Sequence, residues 1–409
     1  MHAALVLAAV AALPLAQTTL TVRASAAQCC TATVRATVPE GTGTVYLTGN
    51  LPELGPWRPD GIAMTGEGRE RMAQLSVPLG TTIEYKFTLG SWDREALGSS
   101  GTVPPNHQLL IDGDVEASHD IAAFKKDPRA YIADWKGSGV LGRLVYWTDV
   151  SSAHLGPTRH VEIWLPPGYD EDPSARYPVL YMHDGQNLFD PRMASTGVDW
   201  GVDEAVVRLV EQGLMPPIIV VGVWNSTVRG QEYSPWHGAP EYARFLVEEL
   251  MPRIDAEFRT RTEPEHTAVM GSSMGGLLSF YLVTHHADAF GACGCVSTHF
   301  PLSEAVVASV FPGIATAAVP DDTPYVIRDI QAGLTAPPGA RYWFDYGTRG
   351  LDADYGPTHE AVRAWLLAQG LVEGDDFVVR EYEGADHNEA SWRARLEDSL
   401  TFLFAPNPQ

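Results

Sequence analysis

The chain is poor in cysteine and in positive charge, and it lacks any apolar run long enough to cross a bilayer. Only 4 of its 409 residues are cysteine. Cys29 and Cys30 are adjacent, and Cys293 and Cys295 lie two apart on an apolar, strand-like run. Bridges within such close pairs are strained, so free thiols, or a pair near the mature N-terminus, are expected rather than a disulfide framework. No Cys/His group has zinc spacing, and neither a metal nor an organic cofactor is expected. Lys and Arg total 28 against 51 Asp and Glu, a formal net charge of −23. That excludes the basic surface a nucleic-acid partner needs, and fits solubility or a salty milieu.

The apolar stretch from Ala3 to Ala16 is too short to span a membrane. It has the character of a secretory signal core, with cleavage expected after Ala16 or Ala26. The expectation is therefore a secreted or periplasmic protein, the alternative being a plain alanine-rich start. What the chain has in quantity is apolar material: 45% of residues are hydrophobic, enough for two domains.

The stretch around which the chain is organised is Thr267-Ala-Val-Met-Gly-Ser-Ser-Met-Gly-Gly276. A β-branched, apolar run leads into Gly271-Ser272-Ser273-Met274-Gly275, and Leu277 to His286 then reads as a helix. Strand, tight turn and helix are the context in which G-x-S-x-G marks a nucleophile elbow. Flanking glycines let the backbone pass without a Cβ clash, the Ser273 hydroxyl projects over the sheet, and the Met274 N–H faces a developing oxyanion. Ser273 is the expected nucleophile.

From Thr31 to about Ile121, strand-like runs alternate with Gly, Pro and Asn turns: Thr33–Val38, Thr44–Thr48, Met72–Val77, Thr82–Leu89 and Leu109–Ile111. About 90 residues of this pattern make a small all-β sandwich. Val45-Tyr-Leu-Thr-Gly-Asn50, Leu54-Gly-Pro-Trp57, Glu84-Tyr-Lys-Phe87, Ser91-Trp-Asp93 and Pro105-Asn106 resemble the starch-binding type of carbohydrate-binding module. The resemblance implies one sugar face built from Trp57, Lys86 and Trp92, with an α-glucan or another polysaccharide as partner. Where the family carries a further tryptophan, this chain has Arg71-Met72. A spacer domain that has lost sugar binding is the competing reading.

Residues 122–141 read as a linker. From Gly142 to the end, strands alternate with helices: strands Arg159–Leu165, Tyr177–Met182, Pro217–Val223, Thr267–Met270, Ala292–Val296, Arg341–Tyr346 and Phe377–Glu381, and helices Asp199–Gln212, Pro240–Phe258, His359–Gln369 and Glu389–Phe404. That alternation predicts a mostly parallel, doubly wound sheet. Trp164-Leu-Pro-Pro-Gly-Tyr169, His183-Asp-Gly-Gln-Asn-Leu-Phe189, Gly271-Ser-Ser-Met-Gly-Gly276, Asp345-Tyr-Gly-Thr348 and His387-Asn-Glu-Ala-Ser-Trp392 then resemble the esterase D family of α/β-hydrolases. The fold expected is thus an α/β-hydrolase preceded by the sandwich, and the reaction expected is carboxylic-ester hydrolysis.

In that fold the order is Ser, acid, His, with the His after the last strand. His387 holds this place and is the expected base, while His299 is expected near the pocket wall. The acid should follow Arg341–Tyr346, as Asp352 or else Asp354; the alternative is that these aspartates only cap the following helix. Gly185 or Gln186 should supply the second oxyanion N–H, with His183 orienting that loop. Trp224, Asn225, Tyr233 and Trp236 are candidates for the substrate pocket, and Arg229 and Glu232 are expected either to meet substrate or, the favoured reading, to pair with each other and hold the loop. Residues 301–337 are the candidate cover of the pocket. Acyl transfer to an alcohol, or a sugar-binding protein with an inactive hydrolase domain, are the competing functions.

Overall fold

The computed structural model describes residues 29–405 apart from residues 56, 100, 102 and 311–319. The N-terminal apolar stretch expected to be a signal sequence lies outside the described residues, as does part of the candidate pocket cover.

The first domain packs two small sheets face to face. In one, Cys29–Thr37 runs between antiparallel Glu70–Pro78 and parallel Val115–Asp120; the other is antiparallel, in the order Ile62–Ala63, Tyr46–Gly49, Thr82–Thr88, His107–Leu110. Alternation along Glu70–Pro78 puts Arg71, Ala73, Leu75 and Val77 on the inner side. Leu75 and Val77 meet Val34, Leu47, Tyr85 and Phe87 in the core, the two-faced pattern of a sandwich.

The segment expected to be a linker is structured. Ala123–Phe124 pairs with Ala96–Leu97 and so belongs to the sandwich, and Pro128–Ala133 is a short helix capped by Asp127. Lys125 is buried between the domains and donates from Nζ to the carbonyl of Ala194, 2.7 Å away in the hydrolase.

The second domain is an eight-stranded sheet. Its strands are β1 (Arg143–Val150), β2 (Arg159–Leu165), β3 (Val179–His183), β4 (Ile219–Val223), β5 (Thr267–Ser272), β6 (Ala292–Val296), β7 (Arg341–Gly347) and β8 (Phe377–Tyr382). Their spatial order is 1-2-4-3-5-6-7-8, with β2 antiparallel to both neighbours and all other pairs parallel. This is the α/β-hydrolase arrangement. The central strands are buried on both faces, as continuous apolar runs such as Ile219–Val223 require. Helices α1 (Val202–Glu211) and α4 (Glu389–Phe404) pack on one side through Val206, Leu209, Trp392 and Leu400. Helix α2 (Met274–His285) and α3 (Gly356–Ala368) lie on the other, through Leu278, Leu282, Val362 and Leu366.

The stretch expected as one helix over 240–258 is divided. An α-helical segment, Ala239–Arg244, passes into a π turn, Phe245–Leu250, before the α-helix resumes at Met251–Glu257. Pro252 has no N–H to offer the carbonyl four residues back, so the ladder widens ahead of it. No described helix is long and apolar enough to cross a membrane.

Candidate active site

Strand β5 ends at Ser272, which is buried, and the chain turns at Ser273 with φ 58 and ψ −120 before α2 begins. That conformation is sparsely populated for a side-chain-bearing residue and is kept only where surroundings enforce it. Here the Ser273 N–H is held by the Val296 carbonyl at 2.9 Å, and the Ser273 carbonyl accepts from Leu277 and His299. The turn closes so tightly that a Cβ at position 271 would lie 2.8 Å from the Gly275 backbone. A side chain at that glycine would force the elbow open.

His387 follows β8 and is positioned by its own N–H bond to Asp386. Its ring stands edge-on to Tyr355 and to Trp392. Nδ1 lies 2.6 Å from Asp352 Oδ1. Asp352 sits in a short 3-10 turn, Gly350–Asp354, after β7 and is fully buried. Its second oxygen accepts from Ser297 Oγ at 2.5 Å and from the Gly347 N–H at 2.7 Å. Burial pushes the Asp352 carboxyl up, but the bonds from His387, Ser297 and Gly347 outweigh it and hold the group below its ordinary value. Asp354, in the same turn, faces solvent. Of the two candidate acids, only Asp352 meets the imidazole.

Behind this pair lies a polar network that sequence reasoning missed. Ser297 Oγ accepts from Trp392 Nε1 at 2.9 Å and from the Arg395 guanidinium at 2.7 Å. Arg395 is also paired with Asp345 at 2.8 Å, and Asp345 accepts from the Ser297 N–H and from Trp343 Nε1. The only sequence signal was Trp392 within the His387 motif. Ser297 and Arg395 fall in a strand–loop junction and a helix of ordinary composition.

The loop after β3 begins at Asp184 in the left-handed region, φ 57, and enters the 3-10 turn Gly185–Asn187. The first N–H groups of such a turn have no partner within it, which leaves Gly185 and Gln186 as donors beside the Met274 N–H at the start of α2. The two loops adjoin: a Cβ at Gly275 would lie 3.4 Å from His183. Gly185 itself is hemmed in, since a Cβ there would fall 2.5 Å from the Gly222 backbone and 2.8 Å from Trp224. His183 is buried against Tyr233 and Tyr242, and burial depresses it to about 3, so it stays neutral.

Four expected pocket residues mostly serve this loop instead. The Asp184 carboxylate accepts from Asn225 Nδ2 and takes both Arg229 Nε and Nη2, each at 2.7 Å. Tyr233 is completely buried and its Oη accepts from the Asp184 N–H. Trp224 is buried beside Gly185. Trp236 stacks on Tyr325 at 4.3 Å and donates to Asp329. Tyr233 and Trp224 therefore form no open aromatic wall. The expected Arg229–Glu232 pair is also absent, because Arg229 binds Asp184 while Glu232 forms a buried fork with Arg159. Residue spacing suggested the first pairing; the buried cation on β2 had no sequence signal.

His299 follows β6, with its N–H on the Ser273 carbonyl at 3.2 Å and its Nδ1 2.5 Å from Tyr355 Oη. Ser273 and His387 thus both border the His299–Tyr355 pair. No group of three or more metal-ligating side chains occurs among the described residues.

In the sandwich, Trp57 is half-buried and held at φ 55, its N–H bonded to Gly49. Trp92 opens a 3-10 turn and is half-buried. Lys86 is engaged: its ammonium lies 2.5 Å from Glu95 and donates to the Pro104 carbonyl. Arg71, where a further tryptophan was missing, is buried and bonded to the carbonyls of Thr42, Gly43, Gly68 and Glu70.

Residues 152–403 match the family described as "Putative esterase", and residues 31–112 match the starch binding domain family. Among curated proteins, the chain is similar to the uncharacterized protein YbbA of Bacillus subtilis, 25% identical over 181 residues, 40% of this chain and 68% of that one. It is also similar to an endo-1,4-beta-xylanase/feruloyl esterase of Xylanibacter ruminicola, 26% identical over 245 residues; there it spans 54% of its own length but only 32% of the relative's. Among solved structures, an enterobactin esterase from Shigella flexneri aligns over 91% of this chain and 92% of its own, with 16% identity and a TM-score of 0.49.

Proposed function

This chain belongs to the esterase family and is a carboxylic-ester hydrolase; on that premise we propose that it opens its substrate through an acyl-enzyme on Ser273. The observation that carries the reading is the 2.6 Å contact between His387 Nδ1 and Asp352, taken together with a serine held in a strained elbow. A carboxylate on Nδ1 keeps that nitrogen protonated and leaves Nε2 free to act as base. Ser273 attacks the ester carbonyl as His387 takes its proton. The N–H groups of Met274 and of Gly185 or Gln186 hold the oxyanion. The alcohol leaves with the proton from His387, and water then releases the acid by the same steps.

The sandwich, we further propose, keeps the enzyme on an α-glucan or related polysaccharide. The family match and the exposed part of Trp57, kept at a backbone angle that costs energy, support this. The substrate class follows as esters carried by, or found beside, such polymers, acetyl and feruloyl esters among them. Export to a secreted or periplasmic location belongs to the same proposal and rests on the apolar stretch Ala3–Ala16. The test is labelling by an active-site phosphonate with peptide mapping, followed by a panel of p-nitrophenyl esters, methyl ferulate and acetylated xylan. Labelling at any residue other than Ser273, or turnover of none of these esters, overturns the reading.

A further inference from the structure

The proposed Ser273–His387–Asp352 group uses one imidazole, yet a second belongs to the residue whose backbone N–H binds the Ser273 carbonyl. That bond ties His299 to the elbow, and Tyr355 holds its ring. Its Nδ1 is 2.5 Å from Tyr355 Oη, and the Tyr355 ring stands edge-on to both His299 and His387. Tyr355 is buried, and its hydroxyl has no second partner among the described residues. If Nδ1 carried the proton, the phenol hydrogen would be buried without an acceptor, which is costly. The satisfied arrangement has Tyr355 donating to Nδ1. The ring proton then sits on Nε2 of a partly exposed residue, and Nε2 is not among the buried side-chain atoms that lack a partner.

The groups facing this ring are Tyr355, His387, Arg229 and Asp352. Burial, followed by the fields of His387 and Arg229, depresses His299 to about 4, so it stays neutral in neutral solution. Burial raises the Tyr355 hydroxyl and keeps it protonated.

We propose that His299 is a specificity-determining residue, whose Nε2–H donates a hydrogen bond to an oxygen acceptor on the substrate close to the scissile ester, and that Tyr355 positions it by fixing the tautomer. A site built around a directed donor discriminates against an isostere that lacks the acceptor, because the donor is then left unpaired. The inference rests on Ser273 being the nucleophile.

The test uses matched esters with the full-length protein. On the acyl side, p-nitrophenyl methoxyacetate is compared with p-nitrophenyl butyrate. On the alcohol side, 2-methoxyethyl acetate is compared with butyl acetate. In each pair an ether oxygen replaces a methylene, and the readout is the ratio of kcat/KM values. His299→Ala should lower the ratio about tenfold in one pair, the worth of a single hydrogen bond, and the pair affected identifies the side that is recognised. His299→Gln, which keeps an N–H donor, should recover part of it. Tyr355→Phe should lower the same ratio, since Nδ1 can then hold the proton. Loss of general activity through misfolding scales both members of a pair equally and leaves the ratio alone. Ratios unchanged in both pairs for His299→Ala overturn the proposal, and an unchanged ratio for Tyr355→Phe overturns the tautomer assignment. Wild-type protein that cleaves none of the four esters and escapes the phosphonate would instead remove the esterase reading itself.

Discussion

Ser297 and Asp352 lie 55 positions apart in sequence and meet at 2.5 Å, Ser297 Oγ donating to Asp352 Oδ2. The direction of that bond is forced. Trp392 Nε1 and the Arg395 guanidinium both donate to the same hydroxyl, so its single hydrogen has only Asp352 to go to. The serine therefore turns two buried donors into one donor aimed at the carboxylate that holds His387.

Ser297→Ala should strand the buried Trp392 N–H, take one of two partners from Arg395 and remove one of Asp352's three bonds. The expected loss is about 1–3 kcal/mol of stability, with a fall in kcat larger than any change in KM, since the imidazole loses its support and not its substrate. Urea unfolding and steady-state kinetics check this; wild-type stability and kcat would show that the hydroxyl is idle.

Ser273→Ala should lower kcat by about 10⁴-fold or more with the fold intact. Ser272→Ala should retain most activity, because Ser272 is buried at the end of β5. Equal losses at both positions, with circular dichroism unchanged, would reassign the nucleophile.

Asp352→Asn should cost up to roughly 10⁴-fold by favouring the wrong imidazole tautomer. Asp354→Asn, at an exposed position, should stay within about twofold, as surface substitutions do. Comparison of kcat/KM for the two variants decides between the acids, and two mild effects would point to a Ser–His dyad.

The sequence carried the strand–turn–helix of the nucleophile, the order of the sheet's strands in the chain and the place of His387, because each follows from local period, turn chemistry or a short motif. Strand β1, Arg143–Val150, went unread: its polar residues Arg143, Thr148 and Asp149 hide the pattern of an edge strand exposed on one side. Positions set by contacts across the fold were also hidden. Asp184 reads as an ordinary loop residue until Arg229, 45 residues on, closes on it. Tyr233 and Trp224 looked like pocket walls because aromatic side chains near a strand's C-terminal end suit either role, and only burial separates the two.

Glu162 on β2 supplies a pH test. It is buried beside Tyr146 and Trp224, and neither carboxylate oxygen completes a hydrogen bond among the described residues. Burial raises its pKa well above the usual value, so the folded state keeps the proton that the unfolded chain releases above about pH 4.3. The stability this protonated form contributes is complete below that pH and is lost as pH rises toward the folded value. Glu162→Gln mimics the protonated form. Its stability advantage over wild type should therefore widen with pH, by about 1.4 kcal/mol per unit. Unfolding curves at pH 5 and pH 7 check the sign; a gap that narrows with pH would mean Glu162 is ionised in the folded protein.

Trp57→Ala should abolish binding of β-cyclodextrin by the full-length protein, which is expected no tighter than about millimolar. Lys86→Met should act differently, by leaving buried Glu95 uncompensated at a cost of about 3–5 kcal/mol. Calorimetric titration and thermal melts separate the two. Unchanged binding in the Trp57 variant would move the sugar face elsewhere or remove it.

Lys125, fastened to the Ala194 carbonyl, bears on how the two halves share a substrate. Domains on a slack tether sample a cloud of separations, and the local concentration each feels of the other's ligand falls as the tether lengthens. Here the intervening chain is folded and one of its side chains is anchored in the hydrolase. Reach is then a fixed vector, with no chain length to tune. A polymer gripped by the sandwich, if the proposed sugar face binds one, would offer the hydrolase only those esters that fall at one span and one bearing along it, and the spacing of its decorations would become part of what the enzyme selects.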